Sequence, residues 1–516
     1  MPIVTPDWVR DAVFYQVFPD RFARSGRVDA PGPLEPWDEP PTVSGFKGGD
    51  LYGVVERLEY LQGLGVTAIY LNPIFASASN HRYHTYDYYA VDPLLGGDAA
   101  LRELLDAAHA RGMKVVLDGV FNHASRGFWP FNHVLECGLG SPYLDWFHVD
   151  RAALSAGRPL RAYPDETLQQ TIADNAGTQA HQTGAESIYS LGYEAWWDLP
   201  ALPKLNTDNP KVREYLLGVA EHWIRFGADG WRLDVAAEID DDEFWREFRR
   251  RVKAVNPDAY IVAEIWYEDR RWLQGDQFDA YMNYPLLEAI ISFCAGSHLD
   301  ERVIEQHGEL AGNIRPEDGP TFAARLAHVL AAYDPAINEV QLNLLGSHDT
   351  PRVLTMCGGD QAAVRLATLV QMTVAGAPCI YYGDEIGMEG EHDPGCRGAF
   401  PWNDPGRWDR DHLAYISAVI GLRHANPVLR RGAFRILAAE GSTIAYLRSA
   451  EDAALVVALN NGEEPSVVQL ALPELEGRWL AAVPLPGDPP GREPIAVSDG
   501  RATISVPARS GRVLRA

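Results

Sequence analysis

Short apolar runs alternate with amphipathic stretches along most of the chain. Eight runs have the length and the β-branched or aromatic content of buried strands: Val13–Val17, Thr67–Asn72, Lys114–Phe121, Gly230–Asp234, Tyr260–Glu264, Phe278–Met282, Gln341–Ser347 and Pro378–Gly383. Between them, apolar residues recur with helical spacing over Tyr52–Leu64, Ala99–Arg111, Lys211–Phe226 and Asp241–Val255. Strand and helix units that repeat in this way are typical of a parallel barrel. The pattern therefore predicts an α/β fold, a (β/α)8 TIM barrel.

The barrel pattern is interrupted once and stops before the chain does. A long stretch separates the third strand from the helix that starts at Lys211, and structureless loops beyond ~12–15 residues are uncommon. We therefore predict an inserted subdomain over residues 122–200, which are rich in Trp, Tyr, His and Gly. From residue 428 to 516, short alternating runs broken by Gly, Pro and Asp predict a C-terminal antiparallel β sandwich. The predicted barrel domain therefore consists of residues 1–121 and 201–427.

Composition and charge narrow the class of protein. The chain has 516 residues, 46% of them hydrophobic, with a formal net charge of -26. Such an acidic surface repels phosphate backbones, so nucleic acid is not an expected partner. The N-terminal residues lack the basic and apolar regions of a signal peptide, and no run of roughly 18 apolar residues occurs. With five scattered cysteines predicted as free thiols, these features predict a cytoplasmic protein without a membrane partner.

Polar residues follow four of the predicted strands at their C-terminal ends, where barrels of this type carry their chemistry. They are Asp118, Asn122 and His123 after the third strand, Arg232 and Asp234 on the fourth, Glu264 on the fifth, and His348 and Asp349 on the seventh. Each alone could be a satisfied core carboxylate, a structural ion pair, a helix cap or a turn. Together they place four carboxylates near one barrel mouth, at a cost of several kcal/mol per unpaired charge. Proteins keep such arrangements mainly for function.

The residue types suit cleavage of a glycosidic bond. Retaining hydrolysis needs an ionised nucleophilic carboxylate and a protonated carboxyl group roughly 5–5.5 Å away. Arg232 lies two residues before Asp234, so both side chains face the same side of the strand, and the guanidinium is expected to keep Asp234 ionised. Glu264 lies in an apolar stretch, IVAEIW, which favours a protonated general acid. A third carboxylate, Asp349, is expected to hold sugar hydroxyls.

Four ordered segments resemble the conserved regions of the α-amylase family of glycoside hydrolases: DGVFNH (Asp118–His123), GWRLDVAAE (Gly230–Glu238), AEIW (Ala263–Trp266) and LLGSHD (Leu344–Asp349). LPKLN (Leu202–Asn206) resembles a further region that sorts the family's subgroups. The resemblance implies a barrel enzyme with a retaining mechanism. It implies Asp234 as nucleophile, Glu264 as general acid/base and Asp349 as the carboxylate that stabilises the transition state.

The same resemblance extends to substrate-binding positions, each with a structural alternative. Alongside Asp118, His123, Arg232 and His348, these are His81 and Tyr83 at the nonreducing side, the pair Asp393 and Arg397 beside the cleaved bond, and Trp266, Glu238 and Lys204 on the acceptor side. Tyr83 is expected to stack on a sugar ring, unless it is a core aromatic residue. Asp393 and Arg397 could be a surface salt bridge, and the acceptor-side residues could be caps or surface residues.

Within the family, the chain looks most like the neopullulanase, cyclomaltodextrinase and maltogenic amylase group, through FPDRF, GGDLYGV and PCIYYGDEIGM. That likeness implies cleavage of α-1,4-glucosidic bonds in starch, maltodextrins, cyclodextrins or pullulan, with transglycosylation as a companion activity. The first barrel strand begins near Asp11, so this numbering has no room for the N-terminal β domain usual in that group. Oligomeric state, monomer or homo-oligomer, stays open.

Three alternatives compete with this interpretation. Trehalose synthase and exo-acting α-glucosidase belong to the same family, although exo-acting oligo-1,6-glucosidases typically carry QPDLN where this chain has LPKLN. A catalytically dead transporter-associated protein would lose catalytic carboxylates and gain a membrane anchor, whereas this chain keeps Asp234, Glu264 and Asp349. A starch-binding module alone would not need the complete barrel.

Calcium is the one cofactor to consider. Asn122 matches a calcium ligand of the family, and Asp20, Gly48 and Asp50 could contribute further oxygens, but these residues do not assemble a full site. The loop Ala23–Val28 reads ARSGRV and lacks the Asn and Asp residues that bind calcium in the related group. Hard cations need several oxygen ligands. We therefore expect no required cofactor and calcium that is dispensable or weakly bound.

Overall fold

A computed structural model describes residues 2–165, 187–488 and 493–516. Eight parallel strands form its main sheet: β1 Phe14–Val17, β2 Ala68–Leu71, β3 Lys114–Gly119, β4 Gly230–Leu233, β5 Tyr260–Ala263, β6 Ala280–Tyr281, β7 Leu342–Leu344 and β8 Ala377–Tyr381. Each strand overlaps one predicted apolar run. Nearly every strand residue is buried, because helices or loops cover one face of the sheet and the barrel core fills the other.

The sheet closes on itself. The strand order is β6-β5-β4-β3-β2-β1-β8-β7, and a parallel bridge between Met282 and Leu342 joins the two outer strands. Paired residues such as Asp118 with Arg232 lie level across β3 and β4. The predicted (β/α)8 TIM barrel is therefore confirmed, and the C-terminal ends of all eight strands open at one mouth.

Helices follow most of the strands. Their bounds are Asp7–Asp11, Pro19–Phe22, Leu51–Glu56, Leu58–Leu64, Gly97–His109, Trp129–Cys137, Arg151–Ser155, Ser187–Ser190, Pro210–Phe226, Asp242–Val255, Tyr284–Ala295, Glu301–Glu305, Gly319–Val329, Pro335–Asn338, Val353–Met356, Gln361–Thr373, Arg410–Ala425 and Val428–Arg431. The helix predicted over Tyr52–Leu64 is divided at Arg57. The segment 264–279, between β5 and β6, has no helix, so one of the eight expected repeats is irregular.

The helix Pro210–Phe226 illustrates how local sequence sets these bounds. Asn209 caps its start by accepting a hydrogen bond from the Lys211 N–H, and Pro210 occupies a first-turn position where no N–H partner is needed. Gly227 ends it with a φ of 117°, in the left-handed region that glycine adopts without strain. Trp223 on its inner face is fully buried and donates its indole N–H to the carbonyl of Tyr88.

A hairpin after β2 brings two predicted site residues to the mouth. Its strands are Phe75–Ser77 and Thr85–Val91, and their connecting loop carries His81 and Tyr83. Arg82 between them has a φ of 60° and is 1% exposed. Its guanidinium pairs with Asp92 at 3.1 Å, which holds the loop in place.

The C-terminal residues form two antiparallel sheets. Their strands are β9 Ala433–Glu440, β10 Thr443–Ala450, β11 Ala453–Asn460, β12 Ser466–Ala471, β13 Trp479–Val483, β14 Ile495–Ala496, β15 Arg501–Val506 and β16 Ser510–Arg515. Six strands pair in the order β9-β10-β11-β16-β13-β14, and β12 pairs with β15. Val456, Leu470, Leu480 and Ile504 belong to an apolar core between them. The predicted antiparallel C-terminal region is confirmed.

The domain limits at residues 122, 200 and 428 stay predictions. The segment predicted as an inserted subdomain contains residues 166–186, which lie outside the described residues. Within the described part of the chain, no helix is both long enough and apolar enough to cross a membrane.

Candidate active site

Arg232 lies at the centre of the barrel mouth with its side chain fully buried. Its Nη1 lies 3.0 Å from an oxygen of Asp118 and 3.0 Å from an oxygen of Asp234. Its Nη2 lies 3.0 Å from an oxygen of Glu264. Three neighbouring strands, β3, β4 and β5, thus direct three carboxyl groups at one guanidinium. The convergence follows from parallel strand register, which puts these residues at one level of the barrel.

Glu264 is held by two further donors. The N–H of Val235 donates to one of its oxygens at 3.0 Å, and the indole N–H of Trp266 donates to the other at 3.2 Å. Trp266 is itself fixed by stacking on Tyr284, with ring centroids 3.5 Å apart. Val235 has a φ of 37°, which is strained for a β-branched residue. The strain aims its N–H at Glu264, as backbone outliers at functional sites often do.

Tyr83 links Asp118 to His348. Its hydroxyl donates to Asp118 at 2.8 Å and lies 2.6 Å from Nε2 of His348. The side-chain amide of Gln16 lies 3.0 Å from Nδ1 of His348, so Nδ1 is the acceptor and Nε2 carries the proton. Burial lowers the pKa of His348 well below its usual value, so the ring is neutral at pH 7.

Two more histidines of the mouth are neutral for the same reason. Burial lowers the pKa of His81 well below its usual value and that of His123 to about 3. Nδ1 of His81 accepts the N–H of Tyr83 at 3.2 Å. Nε2 of His123 is buried with no hydrogen-bond partner among the described residues. These rings offer neutral hydrogen-bonding groups, which suits recognition of sugar hydroxyls.

Asp349 lies beside this group. One of its oxygens is 3.3 Å from Arg397 and the other is 3.2 Å from His348. Burial and the nearby carboxylate of Glu264 raise the pKa of Asp349 to about 7, against the opposing effect of Arg397. Arg397 also pairs with Asp393 at 3.0 Å. The predicted Asp393 and Arg397 pair therefore reaches the mouth through Asp349.

The acceptor-side residues form their own contacts. Nζ of Lys204 lies 3.0 Å from Glu238, so these two predicted residues are paired with each other. A β-bridge joins Lys204 to His123, which connects the pair to the mouth.

Charge balance distinguishes this site from an ordinary ion pair. Burial raises the pKa of Asp234 well above its usual value; Glu264 and Asp118 raise it further, and Arg232 opposes them. We expected Arg232 to keep Asp234 ionised, but the desolvation effect is larger. Three carboxyl groups face one guanidinium in a buried site, and the pKa values of Asp234 and Asp118 are both raised by burial, so this arrangement favours a proton retained within the cluster.

The structure does not assemble the predicted calcium ligands. Asp20 accepts the N–H groups of Lys47 and Gly48, at 2.9 and 3.2 Å, and pairs with Arg21 at 2.9 Å. Asp50 accepts hydrogen bonds from Ser25 and Gly53. These oxygens are occupied by protein donors.

Asn122 contacts a different partner, because its side-chain amide lies 3.3 Å from Nδ1 of His123. Across the described ranges, no group of three or more His, Cys, Asp or Glu residues is arranged to hold a metal ion. The contacts of Asp20, Asp50 and Asn122 therefore give no support to a calcium site of several oxygen ligands.

Comparison with known proteins decides the family. Residues 16–421 match the model of the α-amylase catalytic domain. The chain belongs to the α-amylase family. It is an α-amylase-type glycosidase. Its relatives include a cyclomaltodextrinase and a neopullulanase, which confirms the predicted resemblance to that group.

Three relatives cover nearly all of the chain. The cyclomaltodextrinase of Geobacillus thermopakistaniensis is 42% identical over 479 residues, which are 92% of this chain and 73% of that protein. Neopullulanase 2 of Thermoactinomyces vulgaris is 43% identical over 481 residues, 92% of this chain and 74% of that protein. The debranching enzyme of Nostoc punctiforme is 42% identical, covers 100% of both chains and superposes with a TM-score of 0.86.

Two residues of the α-amylase-family site escaped the sequence analysis. Nε2 of His307 lies 2.8 Å from the backbone carbonyl of Asp349, and its ring is 5.7 Å from that of Trp266. Trp196 stacks on His123 with ring centroids 4.9 Å apart. Both lie in long connections rather than at strand ends. For Trp196, the sequence offered one signal, the WWD motif at residues 196–198, since adjacent tryptophans in a polar connection are unusual.

Proposed function

We propose that this enzyme hydrolyses α-1,4-glucosidic bonds of maltodextrins, starch, cyclodextrins or pullulan with retention of configuration. The observation that carries the proposal is the single guanidinium of Arg232 shared by Asp234 and Glu264. Two carboxyl groups side by side, with a proton shared in their cluster, are what a nucleophile and a general acid require.

In the first step, Glu264 gives its proton to the glycosidic oxygen while an oxygen of Asp234 attacks the anomeric carbon. The bond to the leaving chain breaks, and that chain departs as an alcohol. The glucosyl unit is left bound to Asp234 as an ester. In the second step, Glu264 takes a proton from water, and the resulting nucleophile displaces Asp234. Two inversions give net retention.

Arg232 stabilises the ionised form of Asp234 when the proton lies on Glu264. Asp349 has a pKa near neutrality and contacts His348, so it is placed to bind sugar hydroxyls that tighten in the transition state. The neutral rings of His81, His123 and His348 give or accept hydrogen bonds without adding charge. Tyr83 holds Asp118 and His348 in register.

Trp266 and the ion pair of Lys204 with Glu238 are proposed to receive the departing chain or an incoming acceptor. An acceptor sugar that replaces water in the second step gives transglycosylation in place of hydrolysis. Relatives named cyclomaltodextrinase, neopullulanase and debranching enzyme support cyclic and branched α-glucans as substrates. No contact in the described residues favours trehalose synthesis or exo-acting glucosidase activity, which remain outcomes of the test.

We further propose that calcium is not required and that the enzyme works in the cytoplasm. Asp20 and Asp50 already have protein donors in place of a cation. Four cysteines are buried free thiols, a state that a reducing compartment maintains.

Product analysis on maltohexaose, γ-cyclodextrin, pullulan and maltose tests the proposal, with the anomeric form of the first product read by NMR. We expect α-configured maltodextrins that appear with the wild type and not with Asp234→Asn. Products of β configuration would contradict the retaining mechanism. Trehalose or glucose formed from maltose alone would contradict the proposed substrate.

A further inference from the structure

The connection between the helices Glu301–Glu305 and Gly319–Val329 brings one histidine to the barrel mouth. In this connection, the N–H of the buried Leu310 donates to Nδ1 of His307 at 3.2 Å. Because Nδ1 accepts, the ring proton lies on Nε2, which donates to the backbone carbonyl of Asp349 at 2.8 Å. Burial lowers the pKa of His307, so the ring is neutral at pH 7 and keeps this tautomer.

Side chains hold the peptide groups on both sides of the Asp349 Cα atom. The N–H of Asp349 donates to the hydroxyl of Ser347 at 3.1 Å, and the preceding carbonyl, of His348, accepts from Nε of Arg397 at 2.8 Å. The carbonyl of Asp349 itself accepts from His307. Ser347 and Arg397 belong to the loops that follow β7 and β8, whereas His307 comes from the connection between β6 and β7. Together these contacts fix the direction in which the Asp349 side chain leaves the backbone.

The carboxyl group of Asp349 depends on this backbone placement, because its own contacts are long. Its oxygens lie 3.2 Å from His348 and 3.3 Å from Arg397. Hydrogen bonds that fix a charged group firmly are shorter, roughly 2.7–2.9 Å. The 2.8 Å bond from His307 to the backbone is therefore among the tighter restraints on this residue. A shift of about 1 Å in a group that contacts the reacting centre can cost on the order of 100-fold in rate.

The ring of His307 has a second contact. It lies against Trp266, with ring centroids 5.7 Å apart, and Trp266 donates its indole N–H to Glu264. His307 thus offers the site both a hydrogen-bond donor and a ring face. Substitution separates the two, because glutamine places an amide N–H near the position of Nε2 without a ring, and phenylalanine keeps the ring without a donor.

We propose that His307 is a positioning residue for Asp349. Its Nε2–H holds the Asp349 carbonyl in place and thereby keeps the carboxyl group directed at the sugar whose bond is cleaved. Because Asp349 binds sugar hydroxyls more tightly in the transition state, loss of this donor lowers kcat rather than ground-state binding. The inference rests on the proposed function of Asp349 and adds to that site a residue that does not lie at a strand end.

The test measures kcat and KM on maltohexaose for the wild type, His307→Phe and His307→Gln. We expect His307→Phe to lower kcat roughly tenfold, equivalent to about 1.4 kcal/mol, with KM within about twofold. His307→Gln should keep most of the wild-type kcat. Gln306→Ala is the matched control, because Gln306 is exposed in the same segment, and it should change neither constant. An active Phe variant beside an impaired Gln variant, or equal kcat in the two, would overturn the proposal.

A double-mutant cycle with Asp349→Asn separates positioning from a general structural effect, with thermal melting to show that each variant is folded. The carboxylate no longer acts in that background, so adding His307→Phe should lower kcat by less than about a further twofold. A tenfold loss in both backgrounds would overturn the proposal, because His307 would then act independently of Asp349. A wild type that leaves maltohexaose uncleaved, or an Asp349→Asn variant with wild-type kcat, would contradict the proposed function and with it this inference.

Discussion

Buried carboxylates lie at both ends of the barrel, with different numbers of basic side chains as partners. At the end where the strands begin, Asp279 precedes β6 and pairs with Arg249 at 2.7 Å and Lys253 at 2.9 Å. It also accepts the N–H of Ile261 at 2.9 Å. Asp229, before β4, pairs with Lys114 at 2.9 Å and has His109 at 2.7 Å. Each of these carboxylates has two basic side chains to itself.

The mouth reverses that ratio. Asp118, Asp234 and Glu264 share Arg232, so one cation faces three carboxyl groups. Satisfied pairs tie one element to another and hold their charges fixed. A cluster with fewer basic side chains than carboxyl groups can hold and release a proton, which acid–base catalysis needs. The ratio of basic side chains to carboxylates, rather than burial, separates the structural end of this barrel from the catalytic end.

The largest expected effect is on turnover at the mouth. Asp234→Asn and Glu264→Gln should each lower kcat by roughly 10³-fold or more, because each removes a group that acts in the transition state. Because burial disfavours the charged form of Asp234, the amide should leave the melting temperature unchanged or higher. Turnover of maltohexaose and thermal melting measure the two effects. A variant that keeps most activity would contradict the assigned roles.

The opposite end should show the reverse outcome. Asp279→Asn leaves Arg249 and Lys253 without their buried counter-charge and should cost about 3 kcal/mol of stability. Its kcat should stay within about twofold of the wild type, since no reacting group is touched. Urea unfolding midpoints and kcat measure this. The exposed Glu243→Gln is the control and should change neither. A large loss of kcat in folded Asp279→Asn would break the comparison.

The pH dependence of stability sharpens the contrast further. The pKa of Asp349 is raised to about 7 in the folded state, so between about pH 4 and 7 the unfolded chain releases this proton while the folded one keeps it. The contribution of Asp349 to wild-type stability therefore falls as pH rises through that window. Relative to wild type, Asp349→Asn should melt at a similar temperature near pH 4 and at a higher one at pH 8. A melting difference that does not change with pH would contradict this.

The smallest expected effect concerns metal. Counting one cation for three carboxyl groups is correct only if no calcium ion adds positive charge near the mouth. Excess EDTA should shift the melting temperature by less than about 1 °C, a change below about 1 kcal/mol for a chain of this length. Activity should stay constant when calcium is added back. A sharp fall in melting temperature that calcium reverses would show that a bound calcium ion has to be added to this count of charges.

Much of this molecule follows from local pattern. The eight apolar runs predicted the strands to within a few residues, because a buried parallel strand needs continuous apolar residues. Position at a strand end selected Asp118, Asp234, Glu264 and Asp349 as site residues. Asp229 and Asp279 also border strands, at the ends where the strands begin, and the sequence analysis did not single them out.

Other features could not be predicted from the sequence, because no local pattern encodes them. The missing helix between β5 and β6, the contact of His307 with Asp349 and the ring stack through Trp196 depend on packing between distant segments. The raised pKa of Asp234 depends on how many carboxylates share its guanidinium and on how deeply its carboxyl group is buried.

By itself, the sequence determined the barrel, the antiparallel C-terminal sheets and the set of polar residues at the strand ends. The spacing of apolar and polar residues was enough to predict which strands are buried and which residues lie at their ends. Tertiary structure alone decided which charges share a partner. Arg232 meets Asp118 across 114 positions of sequence, whereas Asp279 meets Arg249 and Lys253 across 30 and 26. Electrostatic energy depends on distance in space and on desolvation, and both are settled only when the strands close into a barrel.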